Sequence, residues 1–507
     1  EIMNNCLKIT ILLILIMRSI VVAGAGTAGW MAALFAITVY PDSEVTVVYD
    51  DKTPIIGVGE STTPHFIQFM ERVGVDVSDL VKNCDSTLKN SIKFTNWKGD
   101  DTSYHHAFTW GPNELQKYFN GLSLGINLDK VDVLCMLSEN NKVPFTNHPR
   151  NSDGVPGDSY AACNYALHFN AKKMAEYLQT VGVSRGIKTI VGKIEDVSLD
   201  PDGYVTELIL DTKQKIKTDF IFDCTGFARF FVNKIYKSPV KSYEKELPVK
   251  RAMPFFLDKT DSTPPFTEAI AMKYGWMWKI PVGNRYGCGY VFDSDLVSDE
   301  DVYEEICKVT KQKPHVPRKL NFKPEYATKP FNKNTLALGL SHGFLEPLEA
   351  TSLMITIYML DSMSKTIPGD IFNRNRREEY TEDYNKIVLS FVENCVDMVF
   401  LHYLTPRDDT EFWRNFKKAI PERVSRTLDN INDFDIDKPN CLANKSPFTI
   451  SDMIKCMGGV DYIKSETIQR NVNKDEYPEV ERTIEKIKNV CEKSINHDQY
   501  LIDLTST

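Results

Sequence analysis

The 507-residue chain has no Cys-x-x-Cys pair, and its 11 cysteines are scattered without ligand-like spacing. Neither a disulfide framework nor a metal site is therefore expected. An odd number of dispersed thiols fits a reducing cytoplasm. There is no Lys/Arg block either: 60 basic and 69 acidic side chains are interspersed, for a net charge of −9. A basic face for nucleic acid is thereby excluded. Internal repeats and low-complexity tracts are absent. The apolar run Ile9–Ile16 falls well short of the ~20 residues of a membrane span. Read as a secretory signal it should end at a small-residue cleavage site. It passes instead into Met17-Arg18-Ser19-Ile20-Val21-Val22, a first strand that cleavage would destroy. The sequence therefore reads as a cytoplasmic protein with its natural start at Met17 and residues 1–16 as an upstream extension.

What is present is a large apolar fraction, 42%, enough to bury an extensive core. From Ser19 the pattern runs strand, Gly turn, helix (Trp30–Ala36), strand (Val45–Tyr49), a βαβ opening. A helix is expected near Ala171–Val181. Short β runs follow from Lys188 to Phe222 around the turn Asp200-Pro201-Asp202-Gly203. Residues 240–330 are rich in Pro and aromatics with short β runs, and read as a sheet carrying a substrate face. A buried strand at Thr335–Leu340 leads to a helix through Leu353–Ser364, and from Arg377 the period is helical. The tail, about 480–507, reads as polar and partly a solvated helix.

The strand Ile20–Ala23 enters Gly24-Ala25-Gly26-Thr27-Ala28-Gly29, and a helix follows. The first glycine permits the tight turn, the second the approach of backbone to a pyrophosphate, the third close packing of helix on strand. The helix N-terminus offers free N–H groups to phosphate. Asp50, at the end of the second strand, is placed for a ribose, with Asp51 as the near alternative. Phe220–Gly226, ending in Asp223-x-x-Gly226, and Thr335–Leu340, containing Gly339, would bring further backbone to the same sheet edge. Three such elements over more than 300 residues suit the extended dinucleotide FAD better than NAD. A second G-x-G-x-x-G for NADPH is absent, so reduced flavin would come from a separate reductase.

At these residues the chain resembles the flavin-dependent tryptophan-halogenase family, from about Met17 to Trp413. Trp276-Met277-Trp278-Lys279-Ile280-Pro281 has the family's W-x-W-x-I-P signature. Gly57–Thr62 (with Gly59 and Glu60), Lys89–Trp97, Asp223–Phe227, Gly289–Phe292 and Gly343–Glu349 follow in the family's order. The resemblance implies an α/β fold. The FAD-dependent halogenase domain (17–375) would hold an FAD-binding fold of the glutathione-reductase type, with flavin-contacting segments near 17–65, 185–230 and 335–355. These would interleave with β-rich substrate segments 85–150 and 240–330, and a helical C-terminal region (376–507) would follow.

It also implies a mechanism. FADH2 and oxygen give a flavin hydroperoxide, a chloride, bromide or iodide ion takes its terminal oxygen, and hypohalous acid travels inside the protein to a second chamber holding the arene. In that picture Lys89 is the activating amine and Lys93 is structural. Glu349 orients the oxidant and accepts the proton, while Glu346 is structural. The amides of Thr351 and Ser352 face the halide; because the family has Gly where Ser352 stands, an altered halide pocket is expected. Trp276 and Trp278 wall off the flavin, and the rings of His106 and Phe108 stack on the arene. Tyr49 occupies a position where relatives often carry an acid. No Trp follows Trp413, so the expected arene is an indole or phenol rather than free tryptophan. The rival readings are an FAD-dependent aromatic hydroxylase and a non-catalytic flavin-binding protein. A homo-oligomer is left open.

Overall fold

The computed structural model describes residues 18–53, 57, 59–109, 114–145, 164–259, 262–316, 318–367, 371–438 and 447–506. The expected extension at 1–16, the proposed start Met17 and Val58 lie outside them.

The β-branched run Arg18–Ala23 forms the centre of a six-stranded sheet. The order is Phe331–Asn332, Thr335–Ala337, Phe220–Asp223, Arg18–Ala23, Ser43–Tyr49 and Lys188–Val191. All neighbours are parallel except the first hairpin. Ile20, Val21, Val22 and Ala23 are wholly buried, as a parallel strand covered on both faces must be. One face is covered by the helices Thr27–Val39 and Ala171–Ser184, which meet where Gly182 leaves room for Trp30: a Cβ there would lie 2.9 Å from the indole. The other face is covered by the antiparallel meander Ile194–Leu199, Val205–Leu210 and Lys215–Lys217. These elements match the expected strands, turn and helix closely.

A seven-stranded sheet stands beside it, ordered Leu320–Asn321, Arg251–Asp258, Arg285–Phe292, Gly275–Val282, Phe266–Ala271, Ser91–Thr95 and Ser103–Ala107. Segments 85–150 and 240–330 thus share one sheet, joined by the parallel pairing of Ser91–Thr95 with Phe266–Ala271. Residues 240–330 are not β alone. A helix at Asp299–Thr310 is capped by Ser298 and opens on Asp299, Glu300 and Asp301, which suit its N-terminal dipole. A third, small sheet pairs Thr87–Lys89 and Glu60–Ser61 with Ala166–Phe169.

The tail departs from expectation. Helices Tyr477–Lys493 and His497–Thr505 bury Val480, Ile487, Val490, Tyr500 and Leu504, so it is packed rather than solvated. Polar residues fill its outer face, and the apolar ones, recurring at helical intervals of three, four and seven residues, supply the inner face. Among the described residues no helix is long and apolar enough to cross a membrane.

Candidate active site

The three expected nucleotide segments converge at the carboxyl edge of the parallel sheet. Gly24 N–H donates to Val48 O (2.8 Å), Cys224 N–H to Ala23 O (2.9 Å) and Leu338 N–H to Asp223 O (2.8 Å). Gly24 has φ +119°, and a Cβ on it would stand 2.2 Å from Cys224 O. A Cβ on Gly29 would meet Gly24 O at 2.0 Å, one on Gly339 the methyl of Ala28 at 3.0 Å. At Gly26 and Gly226, by contrast, a Cβ would meet nothing within 4 Å among the described residues. Backbone there borders open space, at the start of a helix whose first turn carries no side-chain cap and no acid. Asp223 is buried; one carboxylate oxygen accepts from Thr225 N–H (3.0 Å) and Oγ1 (2.7 Å), and the other accepts no hydrogen bond among the described residues. An uncapped helix start, open glycine backbone and an unmet buried carboxylate oxygen fit a bound dinucleotide.

Asp50 is half-buried at the end of its strand and accepts from Lys52 N–H and Thr53 Oγ1, both at 3.0 Å. Gly59 and Glu60 lie beside strands of the other two sheets. A Cβ on Gly59 would lie 3.0 Å from Val282, and Glu60 lies in the strand paired with Phe169, its carboxyl raised to about 7 by loss of water.

Trp276 and Trp278 alternate along one strand, so both face one side. Their rings meet edge-on at 6.3 Å. The Trp278 ring lies on the neighbouring strand where Gly289 has no side chain; a Cβ there would fall 2.1 Å from the ring. Glu346 is buried behind them and accepts from Tyr403 Oη at 2.8 and 3.0 Å. Burial raises its carboxyl to about 7 against the opposing pull of Tyr403 and the Trp276 indole.

Lys89 ends the short strand Thr87–Lys89 and is completely buried. Its ammonium donates to Thr62 O (2.8 Å) and lies 4.9 Å from the centre of the Phe108 ring. Burial lowers the amine to about 7, with Glu349 pulling the other way. Lys93 is partly exposed and paired with Glu139 at 2.6 Å.

Glu349, also buried, has φ +64°, and Ala350 after it has φ +53°. Two consecutive non-glycine residues in the left-handed region cost about 1 kcal/mol or more each. They turn the chain so that a helix begins at Thr351 with Ala350 offering no side-chain cap, leaving the amides of Thr351 and Ser352 at its open end. Both residues take helical backbone, so Ser352 meets no glycine-only requirement. The unusual backbone lies just upstream, at Glu349 and Ala350.

His106 does not present a free ring. Its Nδ1 sits 2.9 Å from both Glu349 oxygens, and its Nε2 lies 3.4 Å from Asp452. Across the carboxylate stands His402, with Nε2 2.7 Å from Glu349 Oε1 and Nδ1 3.0 Å from Tyr104 Oη. Burial works against charge on every member. For Glu349 the two imidazoles prevail and hold the carboxyl far below its usual range. Cys456 and Glu349 raise His106 well above, and His402 to about 9. The same imidazoles hold the buried Cys456 thiol below its ordinary value.

His402, Cys456, Asp452 and His497 were not foreseen. His402 and Cys456 come from helices Arg374–Tyr403 and Ile450–Gly459, in the C-terminal region expected to be helical. His497, in the packed tail, accepts from Leu88 N–H (3.0 Å) and contacts Thr263 O (2.7 Å), so it braces the strand that carries Lys89. A lone His or Cys on a helix gives no signal of its own in sequence. Only Tyr104 was within reach, since strand alternation puts it on the face of His106.

A family model described as tryptophan halogenase matches residues 19–472. Tryptophan 7-halogenase RebH of Lentzea aerocolonigenes is 28% identical over 426 residues, covering 79% of this chain and 78% of the relative. Tryptophan 7-halogenase KtzQ of Kutzneria sp. (strain 744) is 29% identical over 432 residues, 79% of each. In fold the chain resembles the solved tryptophan 6-halogenase SttH of Streptomyces toxytricini (TM-score 0.85, 22% identity, 96% of this chain and 99% of that one). It likewise resembles BrvH, a flavin-dependent halogenase from Brevundimonas sp. BAL3 (TM-score 0.85, 24% identity, 96% and 99%). The expectation against free tryptophan, drawn from the missing Trp after Trp413, is not borne out, since these curated relatives are named for tryptophan.

Proposed function

The chain belongs to the tryptophan halogenase family and is a flavin-dependent halogenase, and from that premise we propose how its buried groups divide the reaction. FAD would be held by Gly24, Gly26, Thr27, Ala28, Gly29, Asp223, Gly226 and Gly339, with Asp50 toward the ribose. Bound in reduced form, delivered by a separate reductase, it supplies with oxygen and halide the hypohalous acid that the reaction consumes. The open N-terminus of the Thr351–Thr366 helix holds the halide through the Thr351 and Ser352 amides, where the dipole favours an anion. Trp276 and Trp278 keep the arene from the flavin by bulk alone.

Lys89 receives the oxidant. Its amine is shut away from water and fixed by Thr62 O, so a hydrogen bond from it to a neutral hypohalous acid competes with no solvent. Phe108, beside that amine, lines the place of the aromatic ring. Glu349 takes the proton lost when the ring regains aromaticity, and His106 and His402 aim its oxygens. The observation that carries this reading is that Lys89 and Glu349 are both buried, electrostatically coupled, and joined through the strand and turn carrying His106 and Phe108.

The substrate class is an electron-rich aromatic small molecule, indole or phenol in type. Incubation with a flavin reductase, FAD, NADH, each halide and a panel of indoles, phenols and tryptophan, read by mass spectrometry, tests it. Replacement of hydrogen by halogen in the wild type and none in Lys89→Ala, with FAD still bound, is expected. Products carrying added oxygen would point to a hydroxylase, and normal halogenation by Lys89→Ala would overturn the role of the amine.

A further inference from the structure

Cys456 has no part in the reaction just described, yet it lies in the middle of its machinery. It is wholly buried, and its sulfur and one ring nitrogen each of His106 and His402 lie within 4.8 Å of one another. Glu349 Oε1 is 2.9 Å from His106 Nδ1 and 2.7 Å from His402 Nε2. Four donors from four separate elements therefore converge: two imidazoles, a thiol and a carboxylate.

The outward side of each ring is occupied as well. His402 Nδ1 is 3.0 Å from Tyr104 Oη, and His106 Nε2 is 3.4 Å from Asp452. Asp452 is itself fixed, because its other oxygen accepts from Thr449 N–H (2.7 Å) and Oγ1 (2.8 Å) in the capping box of its helix. Lys455 anchors the same helix through a buried ion pair with Asp132. An oxygen partner on the far nitrogen, fixing tautomer and ring orientation, is how proteins hold metal-binding histidines. We propose that His106, His402 and Cys456, with Glu349 as fourth donor, form a site for a zinc-class divalent cation. Its occupation by Zn(II) would switch halogenation off.

The donor chemistry selects the ion. A thiolate and two imidazoles suit borderline and soft cations in tetrahedral geometry and disfavour Mg(II) and Ca(II), which want oxygen. On binding, the metal displaces the protons that the two imidazoles and the thiol carry, and these pass to solvent. Bound there, it takes the lone pairs of Glu349 that the proton-accepting step needs and holds His106 against it. The inhibition, though not the binding, rests on the function proposed above.

The test uses the full chain in chelator-treated buffer with Co(II) and Zn(II) as probes. Co(II) difference spectra are expected to show a near-ultraviolet thiolate charge-transfer band and the strong visible bands of a tetrahedral site. About one Zn(II) per chain should survive gel filtration. Cys456→Ala should lose the sulfur band, and Asp452→Asn should weaken metal binding by about 10- to 100-fold, as loss of an outer partner does. X-ray absorption of the wild type with Zn(II) should show one sulfur and two imidazole nitrogens, which holds the test open should a variant not fold. A spectrum without sulfur ligation, or Cys456→Ala binding Co(II) as the wild type does, would overturn the site. Undiminished halogenation with the site shown to be filled would overturn the switch. A metal-free enzyme that halogenates nothing would sink the proposed function while leaving the site standing.

Discussion

Replacing Lys89 with Met should make the protein more stable while abolishing its halogenation. The amine ordinarily loses its proton near 10.5, and burial brings this down to about 7. Each pH unit between the two values is worth ~1.4 kcal/mol, so keeping the ammonium inside costs about 5 kcal/mol at pH 7 and below. Met has similar volume and no charge. It forfeits the hydrogen bond to Thr62 O, about 1–2 kcal/mol, which leaves a net gain of about 3 kcal/mol. Unfolding entropy scales at ~2.1 cal/mol/K per residue, so for this chain the midpoint should rise by about 3 °C. The pH dependence has a definite sign. Between pH 7 and 10.5 the unfolded wild type holds a proton that the native state has lost, so wild-type stability climbs with pH. The advantage of Lys89→Met is therefore full below pH 7, gone at about pH 9.5, where the remaining cost of the ammonium equals the lost hydrogen bond, and reversed by about pH 10.5. Thermal unfolding of both proteins from pH 6 to 10 measures it. Lys93→Met, removing a partly exposed amine paired with Glu139, is the control and should move stability by less than about 1 kcal/mol. A lower midpoint for Lys89→Met at pH 6–7, or a difference that ignores pH, would mean that the amine is not buried as described.

Gly24→Ala should lose FAD binding by at least about tenfold and destabilise the protein by about 2–4 kcal/mol, because its Cβ would collide with Cys224 O at a φ that only glycine takes cheaply. Flavin-fluorescence titration and urea unfolding read the two effects, and wild-type affinity would refute the cradle. His497→Ala leaves the N–H of Leu88 and the O of Thr263 without their partner. A loss of about 2–4 kcal/mol is expected, together with faster amide exchange at Leu88 and a lower kcat. Unchanged exchange at Leu88 would show that the tail does not brace the strand of Lys89.

How much of this was legible in the sequence follows from where the signal resides. The Gly24–Gly29 turn, the strand before it and the helix after it are contiguous, so local backbone chemistry writes them in order. The strands at 188–223 and the turn at Asp200–Gly203 were readable for the same reason, as was the Trp276 and Trp278 pair, which two-residue alternation places on one face. The tail misled because its polar residues dominate the composition, while its apolar ones, spaced a helical turn apart, form a buried stripe that shows only once a partner surface exists. The helix at Asp299–Thr310 was hidden among aromatic β runs, although Ser298 and the acids after it carried a start signal.

The sequence by itself determined the nucleotide turn, the alternation of strands and the family to which Lys89 and Glu349 belong, because each is written in residues a few positions apart. Only the tertiary structure decided what surrounds Glu349. His106 comes from an edge strand, His402 from the last turn of a 30-residue helix and Cys456 from a short helix beyond it. Nothing in their spacing relates them; packing of the C-terminal helices against the second sheet brings them together. The charge states of those groups follow from that packing, since burial and close partners, rather than residue type, set which of them keeps its proton.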